Sequence, residues 1–236
     1  MKYLLYGALI LMAMSGCAGH KGQVSVQTEK YLAFTFDDAP SAKTDKLLEV
    51  LKEHDIKATF FILGECTTWY PDGAEKIFSA GHELGNHSDK ISGFGDLIND
   101  ETTVRNSLTF TSEAIRNVTG EYPKLFRSHI SYSDTIGKVS YGMGMASIGT
   151  EITSRDWDKT YTTEKIIAEI LGCNIKDGGV ILMHEHHEGD LERSINALPV
   201  IIAELRKQGY QFLTVTELAE KKGVDLKAGN YYPGLY

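Results

Sequence analysis

Residues able to bind a cation or to move a proton recur where predicted strands end. They are Asp37 and Asp38 after YLAFTF, His87 after HELGN, Arg127 within KLFRS, and His184 at the end of GVILMH. Carboxylates and imidazoles ligate divalent cations and also serve as acids and bases. Because a carboxylate bound to a cation cannot easily also accept a proton, two neighbouring aspartates can divide these roles. We interpret the set as a metal site with acid–base groups beside it, although DDAP alone would indicate only a turn.

The stretch GHELGNHSDKISGFG, residues 81–95, departs from a simple metal site. Two imidazoles four residues apart on one helical turn would face the same cation. Four residues after His87, however, the chain has Ile91, whose side chain carries no lone pair. The stretch could therefore belong to a working metal centre, a rebuilt one, or the remains of one.

Short apolar runs alternate with amphipathic stretches along most of the chain. The apolar runs predict strands at 31–36, 58–63, 82–86, 124–128, 145–149, 179–184 and 210–215. The amphipathic stretches predict helices at 44–55, 74–81, 101–118, 163–173, 191–209 and 216–222. Such alternation implies parallel strands joined by crossover helices. About seven units favour an α/β barrel, in which reactive residues gather at the carboxyl ends of the strands.

Composition limits the class of protein. With 42% hydrophobic and 24% charged residues among 236, the chain is typical of a single globular domain. Its formal net charge of −8 would repel a phosphate backbone, so we expect no nucleic-acid partner. Cys66 and Cys173 could form a disulfide in an exported protein, but separate buried thiols are the simpler interpretation. No pattern predicts the oligomeric state.

The first 16 residues have the pattern of a bacterial signal peptide. A basic residue precedes an apolar run over 3–14 that is too short to span a bilayer comfortably. The tetrapeptide MSGC (14–17) resembles a lipobox, which predicts cleavage before Cys17 and lipidation of its thiol; the alternative is a secreted protein with a chance cysteine. We expect an exported lipoprotein held by its lipid at a membrane surface, periplasmic or on the cell surface. The remaining divisions would be a tether (17–30), the folded domain (31–222) and a C-terminal tail (223–236).

Five short motifs carry a resemblance to a known family. TFDDAPS, GHELGNHS, FRSH, RDW and ILMHEH, in this order, resemble the motifs of the polysaccharide deacetylases, the NodB-type domains of carbohydrate esterase family four. The similarity runs from Tyr31 to Lys221. It implies a distorted (β/α) barrel and metal-assisted hydrolysis of acetyl groups on N-acetylated sugars or acetylated xylan.

The resemblance also implies roles for single residues. Asp37 would be the base and His184 the acid that protonates the leaving group. Arg127 would pair with the base, since a guanidinium suits a fixed contact with a carboxylate, and Asp156 would hold the acid. Trp157 would line the substrate groove, unless it is a plain core aromatic.

The metal site implied by the resemblance departs from the family pattern. Asp38 and His87 would be ligands, whereas Ile91 stands where the family has its second histidine ligand. His129 or Asp89 could replace that ligand and rebuild the site. The alternatives are a weak site with two protein ligands and water, or a site without catalysis in which His129 is an ordinary loop histidine. The expected cofactor is a divalent ion such as zinc, nickel or cobalt.

The predicted function is that of a metal-dependent deacetylase, a hydrolase acting on an acetylated polysaccharide or oligosaccharide. Ile130 replaces an aromatic residue that helps to shape the acetyl pocket in the family, but it keeps a backbone amide and an apolar surface. The alternative is a catalytically inactive glycan-binding lipoprotein of the same fold. Asp37 and His184 favour the enzyme, because a binding protein needs neither base nor acid, whereas Ile91 favours the binding protein.

Overall fold

The computed structural model describes residues 29–90, 92–93, 95–129, 132–185 and 191–236. The predicted signal peptide, Cys17 and most of the tether lie outside the described residues, as do Ile91 and Ile130. The lipidation of Cys17 and the effects of the two isoleucines therefore stay predictions.

Nine strands and eight α-helices make up the described chain. The strands are β1 (Lys30–Ala39), β2 (Thr59–Ile62), β3 (Glu83–Asn86), β4 (Leu125–Phe126), β5 (Ala146–Ile148), β6 (Ile152–Thr153), β7 (Gly179–His184), β8 (Tyr210–Phe212) and β9 (Tyr231–Tyr232). The helices are α1 (Thr44–Glu53), α2 (Gly64–Trp69), α3 (Gly73–Ser79), α4 (Glu101–Thr119), α5 (Asp134–Gly142), α6 (Thr163–Leu171), α7 (Leu191–Lys207) and α8 (Val215–Lys222). Every predicted strand and helix is present, with ends displaced by at most three residues.

The strands form one curled parallel sheet. Their order is β6-β7-β1-β2-β3-β4-β5-β9, and β8 pairs with β1. All pairings between these strands are parallel. The predicted α/β class and the distorted barrel of about seven parallel strands in a single domain are thereby confirmed, with the two-residue strands β6 and β9 at the ends of the order.

Strand β1 is buried on both faces, because a parallel sheet of this type is covered on both sides. Alternate side chains of a strand point to opposite faces. Phe34 and Phe36 accordingly pack in the cluster that includes the apolar faces of α1 and α7. Thr35 and Asp37, which share the other face, both contact the Arg127 side chain. The alternation within β1 thus directs aromatic groups to the core and polar groups to the site.

Residues 223–236 were expected to form a tail, and instead they pack on the sheet. Strand β9 pairs with β5, where Ser147 is the register partner of Tyr231. Leu235 is fully buried in a cluster with residues of β1, β7 and α8. The pairing covers backbone groups on the edge of β5 that would otherwise stay unpaired. Two tyrosines and one leucine were too short a pattern to predict this strand.

Three further local differences have simple causes. Helix α5 lies in the region 129–145 that the sequence left undefined, and Ser133 caps its first turn by accepting from the Ile136 amide. Helix α2 was not predicted, because six residues give no clear period. Strand β8 ends earlier than predicted, since Thr214 caps α8 through a capping box with Glu217.

Both cysteines within the described residues are free thiols. Cys66 is buried, and Cys173 is partly buried with its Sγ 3.1 Å from the Glu169 carbonyl oxygen. The two thiols are separate, as the simpler interpretation predicted, but only Cys66 is buried. Within the same described ranges, no helix combines the length and the apolar character needed to cross a bilayer.

Leu235→Ala tests whether the C-terminal residues belong to the core. Removing this buried side chain leaves a cavity, so we expect the free energy of unfolding to fall by about 2–4 kcal/mol in urea titrations. Leu97→Ala is the matched control, because Leu97 is 57% exposed, and its change should stay within about 0.5 kcal/mol. Equal, small changes in both variants would show that 223–236 is a tail after all.

Candidate functional site

Strand register brings the predicted residues to one edge of the sheet. Asp37 of β1 is the direct partner of His184 at the end of β7. The backbone amide of His87 donates to Ile62 at the end of β2, and that of Arg127 donates to Asn86 at the end of β3. Because all these strands are parallel, their carboxyl ends lie side by side.

Asp38 is a buried carboxylate whose two oxygens accept no hydrogen bond from the described residues. Its backbone has a φ of 62°, a left-handed conformation that is uncommon outside glycine. Burial opposes ionisation of Asp38, but the neighbouring His87 nonetheless lowers the pKa of this carboxyl group. A buried charged carboxylate without a hydrogen bond is unfavourable unless a cation or donor compensates it, and such strained positions cluster at functional sites.

Asp38, His87 and His129 form a cluster of potential metal ligands. One ligand atom from each lies within 4.8 Å of the others. The Nε2 atoms of His87 and His129 are 3.4 and 3.5 Å from Asp38 Oδ1. His87 Nδ1 lies 2.8 Å from the Arg127 carbonyl oxygen, so Nδ1 donates there and Nε2 faces Asp38, where loss of its proton would free a lone pair for a cation. The donor set of one carboxylate and two imidazoles suits zinc and related divalent ions.

His129 is thus brought into the predicted metal site, and Asp89 is not. The Asp89 carboxylate accepts a hydrogen bond from the Ser107 hydroxyl at 2.6 Å, while the Ser107 oxygen accepts from the Asp89 amide at 3.0 Å. These contacts anchor Asp89 to helix α4. Asp89 does not belong to the ligand cluster found among the described residues. Of the two predicted substitutes, geometry therefore favours His129.

Arg127 holds Asp37 in a buried ion pair. Its Nη1 donates to Asp37 Oδ1 at 2.7 Å and to Thr35 Oγ1 at 2.8 Å. Its Nε and Nη2 donate to the carbonyl oxygens of Ile148 and Gly149 at 3.0 and 3.1 Å. The other oxygen of Asp37 lies 3.5 Å from His87 Nε2, which places this carboxylate beside the ligand cluster. The predicted contact between Arg127 and Asp37 is present.

His184 is held by Asp156 at the loop after β6. The ring Nδ1 lies 2.8 Å from Asp156 Oδ1, and the His184 amide donates to Oδ2 at 2.9 Å. Ser194 of α7 also donates to Oδ2, at 3.0 Å. Burial opposes the charge on His184, but Asp156 outweighs it and raises the pKa of the imidazole to about 9. The ring therefore carries a proton at neutral pH, as a general acid requires.

One cavity of about 410 Å³ contains these groups. It is lined by Asp37, Asp38, His87, Arg127, Ser128, His129, Tyr132, Ser147, Ile148, Gly149, Thr150, Trp157, Leu182, His184 and Tyr231. Trp157 is half-buried, and its ring meets that of His184 edge-on with centroids 5.2 Å apart. Its predicted place in the groove agrees with this geometry. Tyr132 and Tyr231 were not predicted, although an aromatic residue after the FRSH motif was a signal for the first.

Glu185 is a buried carboxylate that sequence reasoning missed. It follows His184, its amide donates to the Asp37 carbonyl oxygen at 2.8 Å, and its Oε1 accepts from the Ser41 amide at 3.0 Å. The Thr44 hydroxyl also contacts Oε1, whereas Oε2 has no hydrogen-bond partner among the described residues. Burial raises the pKa of Glu185 to about 7. The residue thus joins the end of β7 to the loop after β1, beside Asp37.

The fold and the site can be compared with known proteins. Residues 25–148 match the family model for polysaccharide deacetylase. The chain belongs to the polysaccharide deacetylase family. The resemblance inferred from the five motifs is thereby confirmed.

Two curated relatives of the family share about a third of their aligned residues with the chain. The bifunctional xylanase/deacetylase of Pseudobutyrivibrio xylanivorans is 31% identical over 227 residues, 94% of this chain and 36% of that protein. The peptidoglycan-N-acetylglucosamine deacetylase PgdA of Listeria monocytogenes is 30% identical over 207 residues, 87% of this chain and 42% of that protein. The chain therefore spans less than half the length of each of these two relatives.

A solved structure of similar extent supports the fold. The family 4 acetyl xylan esterase of Clostridium thermocellum, solved with a cobalt ion, has a TM-score of 0.77 and 30% identity to the chain. The match covers 87% of this chain and 99% of the esterase. The likeness to a family member that binds a divalent ion agrees with the ligand cluster of Asp38, His87 and His129.

Glu185→Gln tests the buried carboxylate through the pH dependence of stability. A raised pKa means that the folded state binds the proton more tightly than the unfolded state, so ionisation destabilises the fold. Relative to Glu185→Gln, the wild type should lose roughly 3 kcal/mol of unfolding free energy as pH rises from about 4.5 to about 7. Urea titrations at pH 4.5 and pH 8 measure this difference.

The control for this pH dependence is Glu53→Gln, which changes an exposed glutamate on α1. Its unfolding free energy should follow that of the wild type at both pH values. A difference between wild type and Glu185→Gln that is the same at pH 4.5 and pH 8 contradicts the prediction.

Proposed function

We propose that the protein is a metal-dependent deacetylase that hydrolyses acetyl groups on a polysaccharide or oligosaccharide. The observation that carries the proposal is Asp38, a buried unpaired carboxylate facing two imidazoles, in the same cavity as Asp37 and His184. Membership of the deacetylase family supports the reaction class. The relatives named for xylan and for peptidoglycan indicate an acetylated glycan as substrate, without deciding between N-acetyl and O-acetyl groups.

The residues present fit a divalent cation. Asp38, His87 and His129 would hold it, because their ligand atoms converge and Asp38 has no other partner among the described residues. Zinc, nickel and cobalt all accept this donor set. A bound divalent ion would lower the pKa of a water ligand and polarise an acetyl carbonyl group.

The chain's own acid–base groups flank that position. Asp37 would accept a proton from the attacking water, and its pairing with Arg127 keeps the carboxylate oriented towards the cavity. His184 would donate its proton to the leaving nitrogen or oxygen, while Asp156 keeps the ring oriented and charged. Base and acid are register partners on β1 and β7, so they approach the same bound group from neighbouring strands.

The second candidate is a glycan-binding protein without turnover. The substitution at Ile91 favours it, since the family pattern has a histidine ligand there. His129 weakens that argument, because its imidazole lies where Asp38 and His87 converge. We retain the enzyme as the first proposal.

We also propose that the protein is an exported lipoprotein attached to a membrane surface through Cys17. The support is the signal-peptide pattern of 1–16 and the lipobox-like MSGC. A membrane location would bring the cavity close to cell-surface or extracellular glycans. The acidic composition supports the expectation that nucleic acid is not a partner.

Acetate release tests the proposed reaction. Wild-type protein should release acetate from acetylated chitooligosaccharides or acetylxylan when zinc, nickel or cobalt is supplied, and EDTA should abolish the release. Asp37→Asn should lower the rate by about 10²–10⁴, because it removes the proton acceptor. Asp225→Asn, an exposed change outside the cavity, should keep the wild-type rate.

Each result of the acetate assay bears on one candidate function. Release that EDTA stops and that Asp37→Asn removes supports the enzyme. Glycan binding without acetate release under any of these metals overturns the enzyme in favour of the binding protein.

His129→Ala tests the composition of the ligand set without relying on activity. The metal-free variant, titrated calorimetrically with zinc, should bind at least about 100-fold more weakly than wild type, because one of three ligands is lost. Asp89→Ala should change the affinity little, since its carboxylate is held by Ser107. His54→Ala removes an imidazole outside the cluster and is the control for non-specific histidine binding.

These variants show which of the two predicted substitutes, His129 or Asp89, is the third metal ligand. Wild-type affinity in His129→Ala, or a loss in Asp89→Ala as large as in His129→Ala, would contradict the assignment of His129. Far-ultraviolet circular dichroism of each variant checks that the fold is retained.

A further inference from the structure

Two tyrosines stand together at the rim of the cavity. Tyr132 and Tyr231 are 41% and 53% exposed, and their ring centroids are 5.7 Å apart with planes inclined by 49°. Both line the cavity whose interior holds the buried Asp37 and Asp38. The rings thus offer aromatic surface at the mouth of the site, whereas the candidate reacting groups lie deep within it.

The tyrosine rings are supported from behind by glycines. The Tyr132 hydroxyl donates to the Gly229 carbonyl oxygen at 3.2 Å. A Cβ on Gly149 would lie 2.2 Å from the Tyr231 hydroxyl oxygen, and one on Gly137 would lie 2.8 Å from that of Tyr132. Each ring therefore occupies space that a side chain on the neighbouring segment would fill. Singly exposed aromatic residues are common on protein surfaces. Here, however, two rings contact each other, and each packs against a glycine where a larger residue would collide with it.

Tyr231 is also connected to the centre of the site through the backbone. Strand β9 pairs with β5, so Tyr231 is held opposite Ser147 by regular hydrogen bonds. Gly149, against which the Tyr231 hydroxyl lies, accepts a hydrogen bond from Arg127, the same guanidinium that holds Asp37. The pairing of β9 with β5 and the contacts of Arg127 therefore fix the position of the Tyr231 ring relative to Asp37.

A sugar ring is the ligand that this surface fits. One face of a pyranose ring presents C–H groups to an aromatic ring, while its hydroxyl groups remain available to polar partners. Tyrosine combines an apolar ring with a hydroxyl group in the same way. A polymeric substrate needs contacts for the units next to the one that reacts, and aromatic groups at the mouth of a polar cavity can supply them.

We propose that Tyr132 and Tyr231 form an aromatic subsite that binds a sugar unit adjacent to the acetylated unit of a glycan chain. This inference rests on the proposed function, because it takes the ligand to be the substrate glycan. It assigns to β9, at the C-terminal end of the chain, a part in selecting long substrates over short ones. The subsite contributes to binding and not to the chemical step.

The test measures how affinity depends on chain length. Dissociation constants for N-acetylglucosamine oligomers and acetylated xylooligosaccharides of two to six units are determined in an Asp37→Asn background, in which turnover does not consume the ligand. We expect affinity to rise with length. In Tyr231→Ala and Tyr132→Ala, the increase in affinity from the shortest to the longest oligomer should be roughly tenfold smaller. Affinity for the shortest oligomer should stay nearly unchanged.

Three control variants isolate the aromatic surface. Tyr231→Phe and Tyr132→Phe keep the ring and should retain most of the length-dependent gain. Tyr122→Ala removes a tyrosine that is 51% exposed and does not line the cavity, so it should bind as the parent does. Tyr132→Ala changes no strand, and it keeps the test decisive if Tyr231→Ala disturbs the pairing of β9.

Three results overturn the subsite. In the first, the affinity of the parent protein does not rise with the length of the oligomer. In the second, the alanine variants show the same rise in affinity as the parent. In the third, the alanine variants lose the same factor in affinity at every oligomer length. Failure of the proposed function would look different. If the proposed function is wrong, wild type releases no acetate, yet the rise in affinity with oligomer length still depends on the two tyrosines. If acetate is released and the alanine substitutions leave that rise unchanged, only the subsite is refuted.

Discussion

The site is organised around one buried cation, the guanidinium of Arg127. An unpaired charge in the interior would be strongly destabilising, so its donors must all find acceptors. Four hydrogen bonds reach acceptors on β1, through Thr35 and Asp37, and at the end of β5, through the carbonyl oxygens of Ile148 and Gly149. The guanidinium also lies 4.2 Å from the centre of the Phe61 ring of β2. One side chain that follows β4 thus contacts residues of β1, β2 and β5.

This arrangement determines where the candidate ligands lie. The carbonyl oxygen of Arg127 accepts from His87 Nδ1, which turns Nε2 towards Asp38. Two residues further along, His129 approaches the same carboxylate. The cluster therefore draws its ligands from the end of β1 and from the segments after β3 and β4, and not from successive turns of one helix. The imidazole of His129, three residues after the end of β4, thus reaches the position of a third ligand, although the chain has Ile91 four residues after His87.

Much of this could be predicted from the sequence, and the reasons differ between the fold and the site. The strand GVILMH was predicted with the bounds that the structure has, because an uninterrupted run from Gly179 to Met183 without a polar side chain indicates a buried strand. Asp37, His87 and His184 were predicted to meet, because the carboxyl ends of parallel strands share one edge. Strand β9 and helix α5 could not be predicted, since their short segments become ordered only through contacts distant in sequence. The choice of His129 over Asp89 likewise depended on Ser107, a residue of α4 that no local pattern connects with position 89.

The unpaired carboxylate of Asp38 bears directly on the choice between enzyme and binding protein. Leaving a buried polar group without partners costs about 1–3 kcal/mol, and more when it is charged, against a total stability of about 5–15 kcal/mol. A sugar hydroxyl group is part of a bulky ring, and Asp38 has no solvent-exposed surface with which such a group could form a hydrogen bond. A single ion is small enough to reach both oxygens and can use the two imidazoles at the same time. A glycan-binding protein without catalysis gains nothing from this costly carboxylate, nor from a histidine kept protonated by Asp156. An enzyme uses both, so the electrostatics of the cavity support the proposed hydrolysis over the alternative of binding alone.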